Sequence, residues 1–213
     1  MPIIQLTYPN TFETIWEYEE AFFSKRINFP SIIGTACPIC GRKSCYRQIT
    51  PYHRYAIDLF PEFKKKRIPI ARFFCKEHQK TFSLLPIQLI PYFQYTLSAV
   101  LRTLLLGLKS RKQGQRGFHG ASLQLDPESL VTPWLIAFWL MVILKGLRRA
   151  HPILSQWVDL TSVHTSKEAW GEISVYFFCL GWISQHPRIT DVLLRYSRTT
   201  RQFLFGLPSQ LRR

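Results

Sequence analysis

Two pairs of soft and imidazole ligands stand out in the 213-residue chain. The first is Cys37-Pro38-Ile39-Cys40-Gly41, and the second is Phe74-Cys75-Lys76-Glu77-His78. A two-residue spacer lets one tight turn present both ligands of a pair. Two such turns at the ends of one insert can then close a tetrahedron around Zn²⁺. Cys37, Cys40, Cys75 and His78 are therefore read as a Cys₃His zinc set, with Gly41 permitting the tight turn after the second ligand. Cys45 is a fifth candidate that could take the place of His78. Cys179 lies in an apolar helical stretch and reads as a small buried hydrophobe. His53, His119, His151, His164 and His186 have no ligand-like spacing.

Catalytic chemistry finds less support. Metal-dependent phosphodiester cleavage needs two or three carboxylates converging on Mg²⁺. Only nine acids follow residue 21, and a triad of Asp126, Asp159 and either Asp191 or Glu172 is no more than a formal combination. Phosphate-binding glycine loops, dinucleotide fingerprints and nucleophile elbows are missing from the sequence. A four-ligand zinc knuckle is normally closed to substrate, so Glu77 beside it gains no catalytic role. The expectation is a non-enzymatic protein.

The formal net charge is +15, and its distribution is more telling than its total. Residues 1–20 carry four Glu and no Lys or Arg, whereas residues 21–125 carry 18 Lys and Arg against Asp58, Glu62 and Glu77. A basic field this concentrated predicts a polyanionic partner. Paired cysteines argue for metal rather than disulfides, the N-terminus shows no secretory pattern, and the expected location is the cytoplasm.

The elements that must hold these residues follow in order. Asn10 or Thr11 can cap a helix reaching about Lys25, and Asn28-Phe29-Pro30 ends it. Residues 45–49, 52–57 and 68–74 have strand character, and Lys64-Lys65-Lys66-Arg67 reads as the turn between them. Residues 92–108 form a Leu-rich helix, followed by a basic loop with glycines at Gly114 and Gly117. A short helix near Ala121 and a Thr132-Pro133 helix start could build a helix-turn-helix. The second helix, residues 134–144, is apolar on every face, which suits a core helix better than a recognition helix. Residues 151–165 look irregular. Helices capped by Ser166 and starting near Thr190 complete the chain, the last carrying Arg195, Arg198 and Arg201 at three-residue spacing.

The apolar run 130–144 is 15 residues long and contains Pro133. A span needs about 20 apolar residues, so no membrane insertion is expected. The predicted fold class is α+β, mostly α. A small zinc-ribbon hairpin (31–91) sits between an N-terminal helix (1–30) and a helical C-terminal bundle (92–213).

Cys-Pro-x-Cys-Gly, then a strand, then aromatic-Cys-x-x-His-x-Lys-Thr-Phe-Ser resembles the N-terminal zinc ribbon of bacterial insertion-sequence transposases. It also resembles related uncharacterised zinc-ribbon proteins of mobile elements, in which the Leu84-Leu85-Pro86 and Pro91-Tyr92 pattern is familiar. The likeness covers about residues 31–95 and does not reach a catalytic domain. It departs from the family at His78, where Cys is usual, and in a longer insert. It implies nucleic-acid binding, DNA before RNA, in an accessory or regulatory protein of a mobile element. The candidate phosphate contacts are Arg42, Lys43, Arg54, Lys64, Lys65, Lys66, Arg67, Arg72, Lys109, Arg111, Lys112 and Arg116, with Tyr52, Tyr55 or Phe73 available for stacking. Two alternatives stand beside this reading. One is a ribbon that docks onto a larger assembly, with a protein partner on the apolar helices. The other is a divergent or truncated transposase.

Overall fold

The computed structural model describes residues 3–5, 12, 14–163, 168–182, 187–200 and 202–206. It is a mixed α+β architecture in which helices dominate. Four strands, β1 (Ile3–Gln5), β2 (Tyr46–Asp58), β3 (Lys64–Cys75) and β4 (Lys80–Leu85), form one sheet in the order β1-β4-β3-β2. The β2/β3 and β3/β4 pairs are antiparallel, and β1 joins β4 in parallel. The two strand segments expected before residue 58 are one strand, whose register slips between Ile49 and Tyr52. Pro51 falls in that slip, where it has no N–H to give the ladder.

Residues 64–67 are not the expected turn. They are the first turn-free residues of β3, with Lys64 opposite Asp58 and Arg67 opposite Tyr55, and the connection is 59–63. Four consecutive cations fit a strand here because their charged heads lie over the rings of Trp16 and Tyr55. Lys64 Nζ is 4.8 Å from the Trp16 ring centroid, and Lys65 Nζ is 4.9 Å from that of Tyr55. Such cation–π contacts favour placing a cation over an aromatic face.

Helix α1 (Ile15–Phe23) starts at Thr14, whose hydroxyl accepts from the Glu17 N–H. The expected caps at Asn10 and Thr11 lie outside the described residues. Ile15, Tyr18 and Ala21 are buried, and the Tyr18 hydroxyl donates to the Pro69 carbonyl of β3 at 3.0 Å. Burial pushes the Tyr18 phenol far above its ordinary pKa, fixing it as a donor. Helix α2 (Phe29–Ile33) is a single turn capped by Asn28.

The helical part begins with α3 (Leu97–Lys112), capped by Thr96 rather than starting at Tyr92. Tyr92 lies in a turn at φ 69°, and bridges from Tyr95 to Ile57 and from Thr96 to Leu89 tie the next residues down before the helix starts. Lys109, Arg111 and Lys112, expected in a loop, form the last turn of α3, where cations suit the C-terminal dipole. Helix α4 (Gly117–Ser122) and a 3₁₀ turn at Pro127–Ser129 lead to α5 (Pro133–Leu154), capped by Thr132. Helix α5 runs through the region expected to be irregular as far as Leu154. Pro152 lies in its final turn, where a proline removes one hydrogen bond without stopping the helix.

Helix α5 is also less buried than its composition suggests. Ile136, Trp139, Leu140, Ile143 and Leu147 are buried, but Trp134 is 77% exposed and Met141 54%. Helix α6 (Ala169–Cys179) is pinned to α5 by Arg148, which grips Glu172 through two hydrogen bonds of 2.7 and 2.5 Å. The His151 ring and the Tyr176 hydroxyl add a 2.9 Å contact between the same helices. The expected Ser166 cap lies outside the described residues. Helix α7 (Pro187–Thr200) packs Leu193, Leu194 and Tyr196 into the core, and the Arg195 guanidinium covers the Trp157 ring at 4.4 Å. Arg201 lies outside the described residues.

The buried side chains form two clusters. One joins α1 and α2 to the sheet, centred on Phe73 stacked on Phe82 at 5.3 Å, and includes Cys37 and Cys75. The other is the helical core from Val100 to Phe205. They meet at the end of β2, where Ala56 belongs to the first and Ile57 and Leu59 to the second.

Candidate metal centre and basic surface

The first knuckle is a hydrogen-bonded turn. Gly41 N–H donates to the Cys37 carbonyl at 2.8 Å, and Cys37 N–H to the Arg42 carbonyl at 2.9 Å. Gly41 adopts φ 72°, the left-handed conformation a residue with Cβ would resist. After the turn, Ala36 bridges Lys43, and Ser44 at φ 54° swings the chain back so that Cys45 leads directly into β2. Cys45 is held against the second half of the site because its carbonyl accepts from the Lys76 N–H at 3.0 Å.

The sulfurs of Cys37, Cys40, Cys45 and Cys75 all lie within 4.8 Å of one another. Cys40 and Cys45 are 2.9 Å apart, and Cys45 and Cys75 3.7 Å. Thiolates on a tetrahedral zinc with bonds of about 2.3 Å would be separated by about 3.8 Å. The four sulfurs could therefore hold a metal ion. The group contains Cys45, the alternative the sequence offered, and not His78. His78 lies in the exposed turn between β3 and β4, outside the sulfur cluster. The reason is register: Tyr46 pairs with Cys75, so the residue before Tyr46 is necessarily beside the end of β3. Cys75 and His78 flank the β3/β4 turn, and the His78 ring is not among the clustered ligand atoms.

Electrostatics agree with a cation-seeking site. Burial opposes ionisation of Cys37, but the backbone N–H groups of Cys40 and Ile39 and the thiols of Cys45 and Cys40 outweigh it, lowering its pKa to about 7. Hydrogen bonding to Cys40, then burial, then the Cys37 and Cys75 thiols push Cys45 the other way, well above the thiol range. Four sulfurs this close share little negative charge among themselves until a cation arrives.

The proposed phosphate contacts do not form one row. Arg67 and Cys75 are eight positions apart on β3, so about 27 Å of strand separates the cationic end from the metal end. Several cations are already paired: Arg42 with Glu77 at 2.8 Å, Lys66 with Glu19 at 2.9 Å, and Arg111 with Glu168. The acidic helix α1 thus covers the Lys64 and Lys66 side of the strand. Lys43, Lys65, Arg67, Lys109, Lys112 and Arg116 are exposed and have no carboxylate partner among the described residues. Of the possible stacking rings, Phe73 is buried in the sheet core, Tyr55 is 42% exposed, and Tyr52 is half-buried.

The formal carboxylate triad has other employment. Asp126 accepts from the Glu128 N–H, Asp159 accepts from the Thr161 N–H and hydroxyl, and Glu172 is held by Arg148. Among the described residues no helix is long and apolar enough to cross a membrane. No family model matches the sequence, and neither a curated protein nor a solved structure matches it.

Proposed function

We propose that the protein is a zinc-ribbon nucleic-acid-binding factor, accessory or regulatory to a mobile genetic element, in which DNA is the favoured target. The mobile-element part rests on the likeness of the Cys37–Gly41 and Phe74–Ser83 motifs to insertion-sequence zinc ribbons. The binding part rests on one observation: exposed cations on the hairpin that carries the cysteine cluster, chiefly Lys43, Lys65 and Arg67, have no carboxylate partner among the described residues. Zinc fixes the end of the hairpin, tying residues 37–45 to the end of β3. Lys65 and Arg67, propped on Tyr55, and the Lys109, Lys112 and Arg116 cluster at the α3/α4 junction neutralise phosphates. Binding to duplex DNA, single-stranded DNA and RNA over a salt series tests this. The expected result is affinity that falls steeply with salt, and binding to none of the three refutes it.

A second reading has its own observation. Trp134, Phe138 and Met141 occupy one exposed stripe of α5, with Leu130 just before it 79% exposed. Trp134 and Phe138 stack at 6.4 Å, and Phe138 stacks on Phe93 at 5.7 Å. An aromatic stripe of this kind suits a protein partner in a larger assembly. Salt-insensitive association lost on Trp134→Ser would favour that reading over the first.

A further inference from the structure

Arg54 and Arg72, far apart in sequence, converge on a single tyrosine. Tyr52 opposes Ile70 across the β2/β3 ladder, and Arg54 opposes Ile68. Strand alternation puts Tyr52 and Arg54 on one face, and Arg72, two residues beyond Ile70, on that same face. On the other side of β3, Arg72 opposes the buried Ser83 of β4, and Ser83 is a hydrogen-bond partner of the Tyr52 hydroxyl. Burial raises the Tyr52 phenol, and the charges of Arg54 and Arg72 both act on it in the opposite direction.

Neither guanidinium is well satisfied. Among the described residues Arg54 reaches only the Ile90 carbonyl, at 3.5 Å, and burial holds its pKa below the ordinary arginine value. Among the same residues Arg72 reaches only the Thr81 hydroxyl, at 3.4 Å, and its Nε is buried with no hydrogen-bond partner. Among the described residues no carboxylate pairs with either. Two partly desolvated cations on one face repel each other, and a buried donor without an acceptor is unfavourable. An anion with several acceptor oxygens relieves both terms, because a guanidinium offers a planar fork of donors suited to phosphate. Tyr92, half-exposed beside Tyr52, would flank such an anion with an aromatic ring.

We propose that Tyr52, Arg54 and Arg72 form an oxyanion site that seats one phosphodiester group of a bound nucleic-acid strand. This deepens the nucleic-acid reading and rests on it. The site lies mid-sheet, on the face of the hairpin that also carries Lys64 and Lys66, with Lys65 and Arg67 on the opposite face.

The test compares the zinc-loaded full chain with Arg54→Met, Arg72→Met, Arg72→Lys, Tyr52→Phe and, as an outer control, Lys65→Gln. Melting temperature is measured with inorganic phosphate or chloride at equal ionic strength, and binding to an oligonucleotide over a salt series. In phosphate the wild type is expected to melt a few degrees higher than in chloride, and Arg54→Met and Arg72→Met should abolish that gain. In chloride those two variants should melt no lower than the wild type, since each removes an uncompensated cation. A purely structural arginine would instead lower melting in every buffer, and that result overturns the site. Removing both arginines together should flatten the salt dependence by about 0.9 for duplex or about 0.7 for single strands, the value of the one phosphate they share, and each single Arg→Met change by part of that. Arg72→Lys should restore the slope without restoring full affinity, and Tyr52→Phe should weaken phosphate protection with little change in slope. If Lys65→Gln lowers the slope and the arginine variants do not, nucleic-acid binding stands and the oxyanion site falls. If no nucleic acid binds yet phosphate protects through both arginines, the nucleic-acid reading falls and the site takes small anions only.

Discussion

Replacing Cys45 with Ser, beside the paired control His78→Ala, separates the two candidate ligand sets. The structure places the Cys45 sulfur 2.9 Å from Cys40 and 3.7 Å from Cys75, whereas His78 is exposed in the β3/β4 turn. A structural zinc site contributes about 10–16 kcal/mol of apparent binding energy at neutral pH. Divided among four ligands this is about 3 kcal/mol each, or about a hundredfold in zinc affinity. Cys45→Ser should therefore weaken zinc by about that factor, read by competition with a chromogenic chelator. It should also lower the metal-dependent melting transition, because Cys37 and Cys75 belong to the sheet core. His78→Ala should leave affinity within about twofold, as expected of an exposed side chain that touches no ligand. The pH dependence adds a check on sign. Zinc binds thiolates, so uptake should release protons, and affinity should fall as the solution is made more acidic. A Cys45→Ser protein that keeps full zinc affinity while His78→Ala loses it would refute the Cys₄ assignment.

Three other outcomes follow from packing. Phe73→Ala should destabilise by about 3–5 kcal/mol in chemical denaturation, since Phe73 is 1% exposed and stacked on Phe82. Gly107→Ala should cost about 1–3 kcal/mol, because its Cβ would sit 2.3 Å from the Trp170 ring. Arg148→Ala strands Glu172, whose side chain is 1% exposed, and should cost about 2–3 kcal/mol at pH 7, below the fully buried range because Arg148 is itself 43% exposed. Without its cation Glu172 has a folded pKa raised above the unfolded value, so that penalty should be full at neutral pH and shrink as pH falls through the raised folded pKa toward the unfolded carboxylate value; a pH-independent penalty in denaturant titrations would argue against the ion pair.

Local chemistry was legible in the sequence. Cys-Pro-x-Cys-Gly specifies a knuckle by itself, because the two-residue spacer and a left-handed Gly41 are properties of five consecutive residues. Thr132-Pro133 marked the start of α5 for the same reason, and apolar periodicity with few breakers predicted a helix-rich α+β chain. What depended on partners was not legible. Cys45 carries no paired spacing, and only the alignment of β2 with β3 brings it to Cys75, while the same register leaves His78 in a turn. Four consecutive cations read as a turn because strand pairing on Asp58 and support from Trp16 and Tyr55 are contacts between distant segments. The contrast between paired Lys66 and unsatisfied Arg72 has the same origin. A side chain's charge is written in the sequence, but its counter-charge and its access to water are settled only when other elements pack against it.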